Sequence, residues 1–92
     1  MRNTKDKLRV AVIGTGYLGK FHAEKYARMP DVELVGVVDT ERSAAEAVAQ
    51  NCSSRAFTSH MDLINDVDAV SIVVPTSAHF EISRDFLAHD VD

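Results

Sequence analysis

Tryptophan is absent from this 92-residue chain, cysteine occurs once, proline twice and glycine four times, and aromatic residues make up only 7%. So little proline and glycine excludes collagen-like repeats. A balance of 46% hydrophobic and 26% charged residues is that of a folded globular domain, which sets aside disorder and coiled coil. The lone Cys52 has no partner for an internal disulfide and no second cysteine with which to build a metal knuckle or a redox pair. A reducing cytoplasm is the setting this implies. Basic residues are also few, ten Lys plus Arg against fourteen Asp plus Glu for a net charge of −4, and Arg2, Lys5, Lys7 and Arg9 are scattered. Without a concentrated positive face, nucleic acid is a poor partner. No long apolar run exists either, since Val10 to Ile13 is cut short by Gly14. A signal peptide needs roughly 7 to 15 apolar residues and a membrane span about 20. The length is below the roughly 100 to 150 residues of a typical domain, so residues 1–92 are expected to form one domain.

What the sequence does contain is an alternation of apolar runs and amphipathic segments. Leu8 to Ile13 reads as a buried strand, and Tyr17 to Met29 as a helix carrying Leu18, Phe21, His22, Tyr26 and Met29 and closed off before Pro30. Val32 to Val38 is apolar at nearly every position, as expected of a strand covered on both faces. Thr40 is positioned to cap a helix from Glu41 to Asn51, whose buried stripe is Ala44, Ala45, Val48 and Ala49. A short third strand, Arg55 to Phe57, is followed by a variant capping box, Ser59 with Asp62, that predicts a short helix through Ile64. Ala69 to Val74 is the fourth strand, and Thr76 or Ser77 then caps a helix with Phe80, Ile82, Phe86 and Leu87. Strands joined by helical crossovers lie parallel. The expectation is therefore an α/β doubly wound parallel sheet, Rossmann-like, in the order 3-2-1-4, with a crevice between strands 1 and 4 at the carboxyl ends of the strands.

Gly14-Thr15-Gly16-Tyr17-Leu18-Gly19 is a full G-x-G-x-x-G set between the first strand and the first helix. Gly14 permits the tight turn, Gly16 admits a pyrophosphate to the backbone, and Gly19 lets the helix lie close on the strand. The helix N-terminus adds free N–H groups and the positive end of its dipole. Asp39 lies at the end of the second strand, twenty residues past Gly19. There a carboxylate accepts bonds from an adenosine ribose diol and repels a 2′-phosphate, so the expected cofactor is NAD in preference to NADP. Arg42, three residues on, blurs this preference, since it could turn toward a 2′-phosphate; it is read first as a solvated residue of a helix first turn. The plainer reading is a glycine turn that only packs helix on sheet, with Asp39 serving as a helix-entry residue; strand, turn, helix and distant acid occurring together in this order favour the dinucleotide. Methyltransferases also use a glycine-rich turn and an acid after strand 2, but they commonly carry an acid just before the first glycine, where this chain has Val12 and Ile13.

With these residues in place, the chain resembles the N-terminal part of the Gfo/Idh/MocA family. The resemblance runs through Val10 to Ala49 and Asp66 to Asp92. Its specific marks are Phe21-His22-Ala23 in the first helix and Pro75-Thr76-x-x-His79 after the fourth strand, where the family commonly has Pro-Asn-x-x-His. Members bind NAD or NADP and oxidise or reduce a carbinol on sugars, inositols, sugar nucleotides or related compounds. The resemblance implies that Gly14, Thr15, Gly16, Tyr17, Leu18 and Gly19 line the pyrophosphate and that Asp39 holds the adenosine ribose. It implies further that Val74, Pro75, Thr76 and His79 meet the nicotinamide half, with Thr76 standing where the family usually has Asn. In the family a fifth strand leads to a Glu-Lys-Pro motif with the usual catalytic Lys, and then to a substrate domain. Neither occurs between Met1 and Asp92. The expectation is an incomplete dinucleotide-binding domain, inactive by itself, with an exposed strand 4 edge that favours self-association. The alternative is a non-catalytic NAD-binding regulatory or interaction module.

Other polar residues read more plainly. His22, His60 and His89 lack metal-ligand spacing and are taken as structural or solvated. Lys20 and Lys25 would serve as bases only if buried. Cys52 reads as a small packing residue, and Tyr17 as a shield for the pyrophosphate edge.

Overall fold

A computed structural model describes residues 7–74 and 76–88, with the backbone alone for residues 17, 18 and 76–80. In chain order the elements are β1 (Leu8–Ile13), α1 (Tyr17–Ala27), β2 (Val32–Val38), α2 (Arg42–Asn51), β3 (Ala56–Phe57), a single 3₁₀ turn (His60–Asp62), β4 (Ala69–Ile72) and α3 (Thr76–Ala88). The four strands form one parallel sheet in the order β3-β2-β1-β4, as the alternation of segments predicts.

The sheet is covered on both faces, which explains why β1 and β2 are apolar at consecutive positions. Side chains alternate along a strand, so Ala11 and Ile13 of β1 pack with Leu63, Ile64, Val67 and Phe86 on one face. Val12 packs on the other face with Ala23 of α1 and Val48, Ala49 and Cys52 around α2. Phe86, only 1% exposed, anchors α3 to the first of these clusters. At the amino ends, Arg9 grips Asp68 through its side chain at 3.1 Å and its backbone N–H at 2.9 Å. That contact fixes the start of β4 beside β1.

Several boundaries differ from the sequence reading. Helix α1 stops at Ala27, because Arg28 and Met29 turn back to the carbonyls of Lys25 and Tyr26 three residues earlier, and Pro30 bars helical geometry at Met29. Among the described side chains of α1, Ala23 is buried, whereas Phe21 is 59% exposed and Met29, beyond the helix end, 41% exposed. Thr40 is not a cap. Helix α2 begins at Arg42, and the N–H of Glu41 is taken by Asp39 Oδ1 at 2.9 Å. Strand β3 is shorter by Arg55, although the Arg55 carbonyl still accepts from Val37 N–H. Ser59 accepts from Met61 N–H, but one 3₁₀ turn follows instead of a helix through Ile64, because Leu63 and Ile64 plunge into the core. Strand β4 ends at Ile72, since its partner β1 ends opposite, at Ile13. Helix α3 runs from Thr76, which places Thr76 and Ser77 inside its first turn instead of at the cap. Leu87 faces outward, 68% exposed.

Candidate dinucleotide site

The turn after β1 is tightly packed at two of its glycines and open at the third. Gly14 has φ of +100°, a backbone region that side chains rarely adopt, and a Cβ there would overlap the Val73 carbonyl. Its N–H donates to the Val38 carbonyl at 2.7 Å, tying the turn to β2. A Cβ at Gly19 would collide with the Gly14 carbonyl, so α1 lies on the turn with nothing between. At Gly16, by contrast, a Cβ would meet nothing within 4 Å. Gly16 also occupies the N-cap position of α1 with no side-chain cap bond. The first N–H groups of the helix are therefore left for an external acceptor.

Asp39 faces this turn from the end of β2. Its Oδ2 accepts both the backbone N–H of Thr15 at 3.0 Å and the Thr15 hydroxyl at 2.7 Å, while its Oδ1 accepts from Glu41 N–H. Partial burial pushes the carboxyl's pKa up, but the bonds from Glu41 and Thr15 together outweigh it and hold Asp39 below the usual carboxylate range. Asp39 is an ionised, firmly oriented acceptor.

Between the turn and the carboxyl ends of the strands lies a cleft of about 460 Å³. It gathers Gly14, Thr15, Gly16, Asp39 and Val74 from the sequence-predicted set. Gly19 sits behind the turn, one helical step away. Tyr17, Leu18, Thr76 and His79 are placed by their backbone only, at the starts of α1 and α3, and Pro75 lies outside the described residues, as does His89.

The structure adds lining residues that the motif did not mark: Thr58, Ser59 and His60 after β3, and Ile82 of α3. His60, read from sequence as structural or solvated, is a wall of the cleft. Its Nε2 is 2.9 Å from Asp85 Oδ2, and its ring lies 5.4 Å from that of Phe86. The usable signal was topological, because the segment after β3 must emerge at the same sheet edge as the glycine turn. Cys52 is buried as a packing residue, and burial pushes its thiol pKa up.

The arrangement thus offers N–H donors beside open space, a fixed carboxylate acceptor and apolar walls from Val38, Val74 and Ile82. Those are the complements of an anionic linker, a diol and a flat ring. Among the described residues, no group of three His, Cys, Asp or Glu side chains is arranged to hold a metal ion, and no helix is long and apolar enough to cross a membrane.

Comparison with known proteins agrees with this geometry. Residues 8–92 match a family profile described as an oxidoreductase family with an NAD-binding Rossmann fold. A UDP-N-acetylglucosamine 3-dehydrogenase from Acidithiobacillus ferrooxidans is 49% identical over 77 residues, 84% of this chain and 24% of that protein. Its solved structure gives a TM-score of 0.85, at 45% identity over 92% of this chain and 27% of that one. An inositol 2-dehydrogenase from Rubrobacter xylanophilus is 33% identical over 93 residues, 98% of this chain and 27% of that protein. GenD2 from gentamicin A biosynthesis, solved in complex with NAD, gives a TM-score of 0.90 at 28% identity, covering 99% of this chain and 27% of that one. The chain spans about a quarter of the length of these relatives.

Proposed function

Because the chain belongs to the Gfo/Idh/MocA oxidoreductase family and carries its NAD-binding Rossmann fold, we propose that it is the cofactor-holding part of a dehydrogenase acting on a carbinol of a sugar, an inositol or a sugar nucleotide. The observation that carries this reading is the meeting of the open Gly16 backbone and the ionised Asp39 at one cleft mouth.

In this reading the Gly14 to Gly19 turn lines the pyrophosphate, with Tyr17 and Leu18 at the start of α1, and the N–H donors come from the helix start, because those of Gly14 and Thr15 are already given to Val38 and Asp39. Asp39 accepts from the adenosine ribose, and its charge disfavours a 2′-phosphate, so NAD is taken ahead of NADP. Val74, Pro75, Thr76 and His79 orient the nicotinamide half. When bound, NAD supplies the acceptor for hydride.

Oxidation of a carbinol also needs a base at the hydroxyl proton. Among the described cleft residues the titratable side chains are Asp39, bonded to Thr15 and Glu41, and His60, whose Nε2 pairs with Asp85. We assign no catalytic residue among the described residues and expect the chain to hold the cofactor without turning over an alcohol by itself. The setting we assign is a reducing cytoplasm, with no nucleic-acid partner.

The test is to titrate NADH with the purified chain and follow nicotinamide fluorescence, then to assay the chain with NAD and inositol or sugar-nucleotide alcohols. Saturable binding without turnover is expected. Absence of saturable binding overturns the cofactor reading, and turnover by the chain alone overturns the claim of inactivity.

A further inference from the structure

We propose that Thr15 is a positioning and specificity-determining residue, whose hydroxyl joins Asp39 to make a surface of hydrogen-bond acceptors that admits a ribose diol and turns away a 2′-phosphate. The proposal rests on the cofactor reading above and assigns NAD selection to a pair of side chains where the motif marks one.

Asp39 has little acceptor capacity left to offer. An ionised carboxylate has roughly four lone-pair sites. Three donors already occupy Asp39: the N–H and O–H of Thr15 on Oδ2, and the N–H of Glu41 on Oδ1. About one site remains, on Oδ1, too few for both hydroxyls of a diol. Thr15 supplies the second. A carboxylate without a proton cannot donate, so in the 2.7 Å contact the hydroxyl proton must belong to Thr15. With that proton directed to Asp39, Thr15 Oγ1 keeps only lone pairs, and Thr15 lines the same cleft as Asp39. Two neighbouring hydroxyls can therefore donate one bond to Asp39 Oδ1 and one to Thr15 Oγ1. A 2′-phosphate brings only acceptors and negative charge to the same pair, and finds no donor there.

The same contact fixes the carboxylate's direction. Two bonds to one residue of the turn stop Asp39 from swinging toward solvent, which would otherwise open space for a phosphate. Thr15 is thus more than a filler between two glycines, and its loss is felt unequally by the two dinucleotides.

The experiment measures NAD and NADP affinities by calorimetric titration of the 92-residue chain, as wild type and as Thr15→Val and Thr15→Ser, with melting curves for each. Thr15→Ala, which removes the same oxygen without a branched side chain, serves if the valine variant does not fold. The expected result is that Thr15→Val weakens NAD by about five- to tenfold, the loss of one neutral hydrogen bond from the ribose to Thr15 Oγ1, and does not weaken NADP by more than about twofold. Thr15→Ser returns NAD to within about threefold of wild type, because it keeps the oxygen and its proton. Equal losses for both dinucleotides mark a merely structural residue and overturn the proposal, as does an unchanged NAD preference in a variant that melts like wild type. A wild-type chain that binds neither dinucleotide overturns the cofactor reading, and this proposal with it. A wild-type chain that binds NAD, with variants that keep its preference, overturns this proposal alone.

Discussion

The hydroxyl of Thr15 lies 2.7 Å from Oδ2 of Asp39, which also accepts the Thr15 N–H at 3.0 Å. One carboxylate at the end of β2 thereby holds the glycine turn that follows β1, across 24 positions of sequence. In the proposed reading, binding group and scaffold are the same side chain, so the site is organised before any ligand arrives.

Replacing that carboxylate should affect the two dinucleotides differently. Asp39→Ala is expected to weaken NAD by about 10- to 100-fold, the range for a lost charged hydrogen bond, and NADP by clearly less, since repulsion of the 2′-phosphate disappears at the same time. Parallel calorimetric titrations check this. Equal losses would remove the ribose assignment.

Acid should act through the same group. Asp39 is held below the usual carboxylate range by bonds from Glu41 and Thr15 that outweigh its partial burial. A depressed folded pKa means that the unfolded chain takes up the proton first. The stability Asp39 contributes is then fully present above the ordinary carboxylate pKa of about 4 and is lost as pH falls through its lower folded value. Urea melts from pH 7 down to pH 2 should show that acid-side loss in wild type and a smaller one in Asp39→Asn. Identical acid limbs would contradict it.

The three turn glycines should separate in a substitution series. Gly16→Ala has room for its methyl group, so it should melt within about 1 kcal/mol of wild type while weakening the dinucleotide. Gly14→Ala and Gly19→Ala meet the Val73 and Gly14 carbonyls and should lose at least ~2 kcal/mol of stability, from backbone strain and overpacking. Thermal melts paired with NADH titration give both readings. A Gly16→Ala chain that binds NADH like wild type would contradict the pyrophosphate assignment.

Among the described residues, β4 pairs on one side only, with β1. An unpaired edge is a template for another strand, and we expect the chain to self-associate through it. Sedimentation velocity over a hundredfold concentration range should show a rising mean mass. A strictly monomeric profile at the highest concentration would remove this expectation.

Legibility in the sequence followed the length scale of the interaction. Strands β1 and β2 were readable to the residue because burial on both faces leaves continuous apolar runs, LRVAVI and VELVGVV. The Asp39-Thr40 junction was misread, because two adjacent residues can each accept a bond from the backbone ahead of a helix. Only the pull of Thr15 on Asp39 decides which one faces Glu41 N–H. The exposure of Phe21 was hidden as well, since spacing alone cannot tell that the tight approach of α1 at Gly19 puts Ala23 against the sheet. In the cleft, Gly14, Gly16 and Asp39 are visible as a motif because a strand, a glycine turn and an acid at the end of the next strand recur at a fixed spacing. His60 is not, because its place in the cleft depends on Asp85 and Phe86, contributed by α3.

The central claim is that the glycine turn and Asp39 together hold a dinucleotide, and its most direct test is to record backbone amide NMR spectra of the ¹⁵N-labelled chain while NAD is added. The account predicts saturable shifts concentrated at Gly14, Thr15, Gly16 and Asp39, with smaller ones at Thr58 and His60 along the cleft. Shifts that never saturate, or that cluster away from the carboxyl ends of the strands, would contradict it.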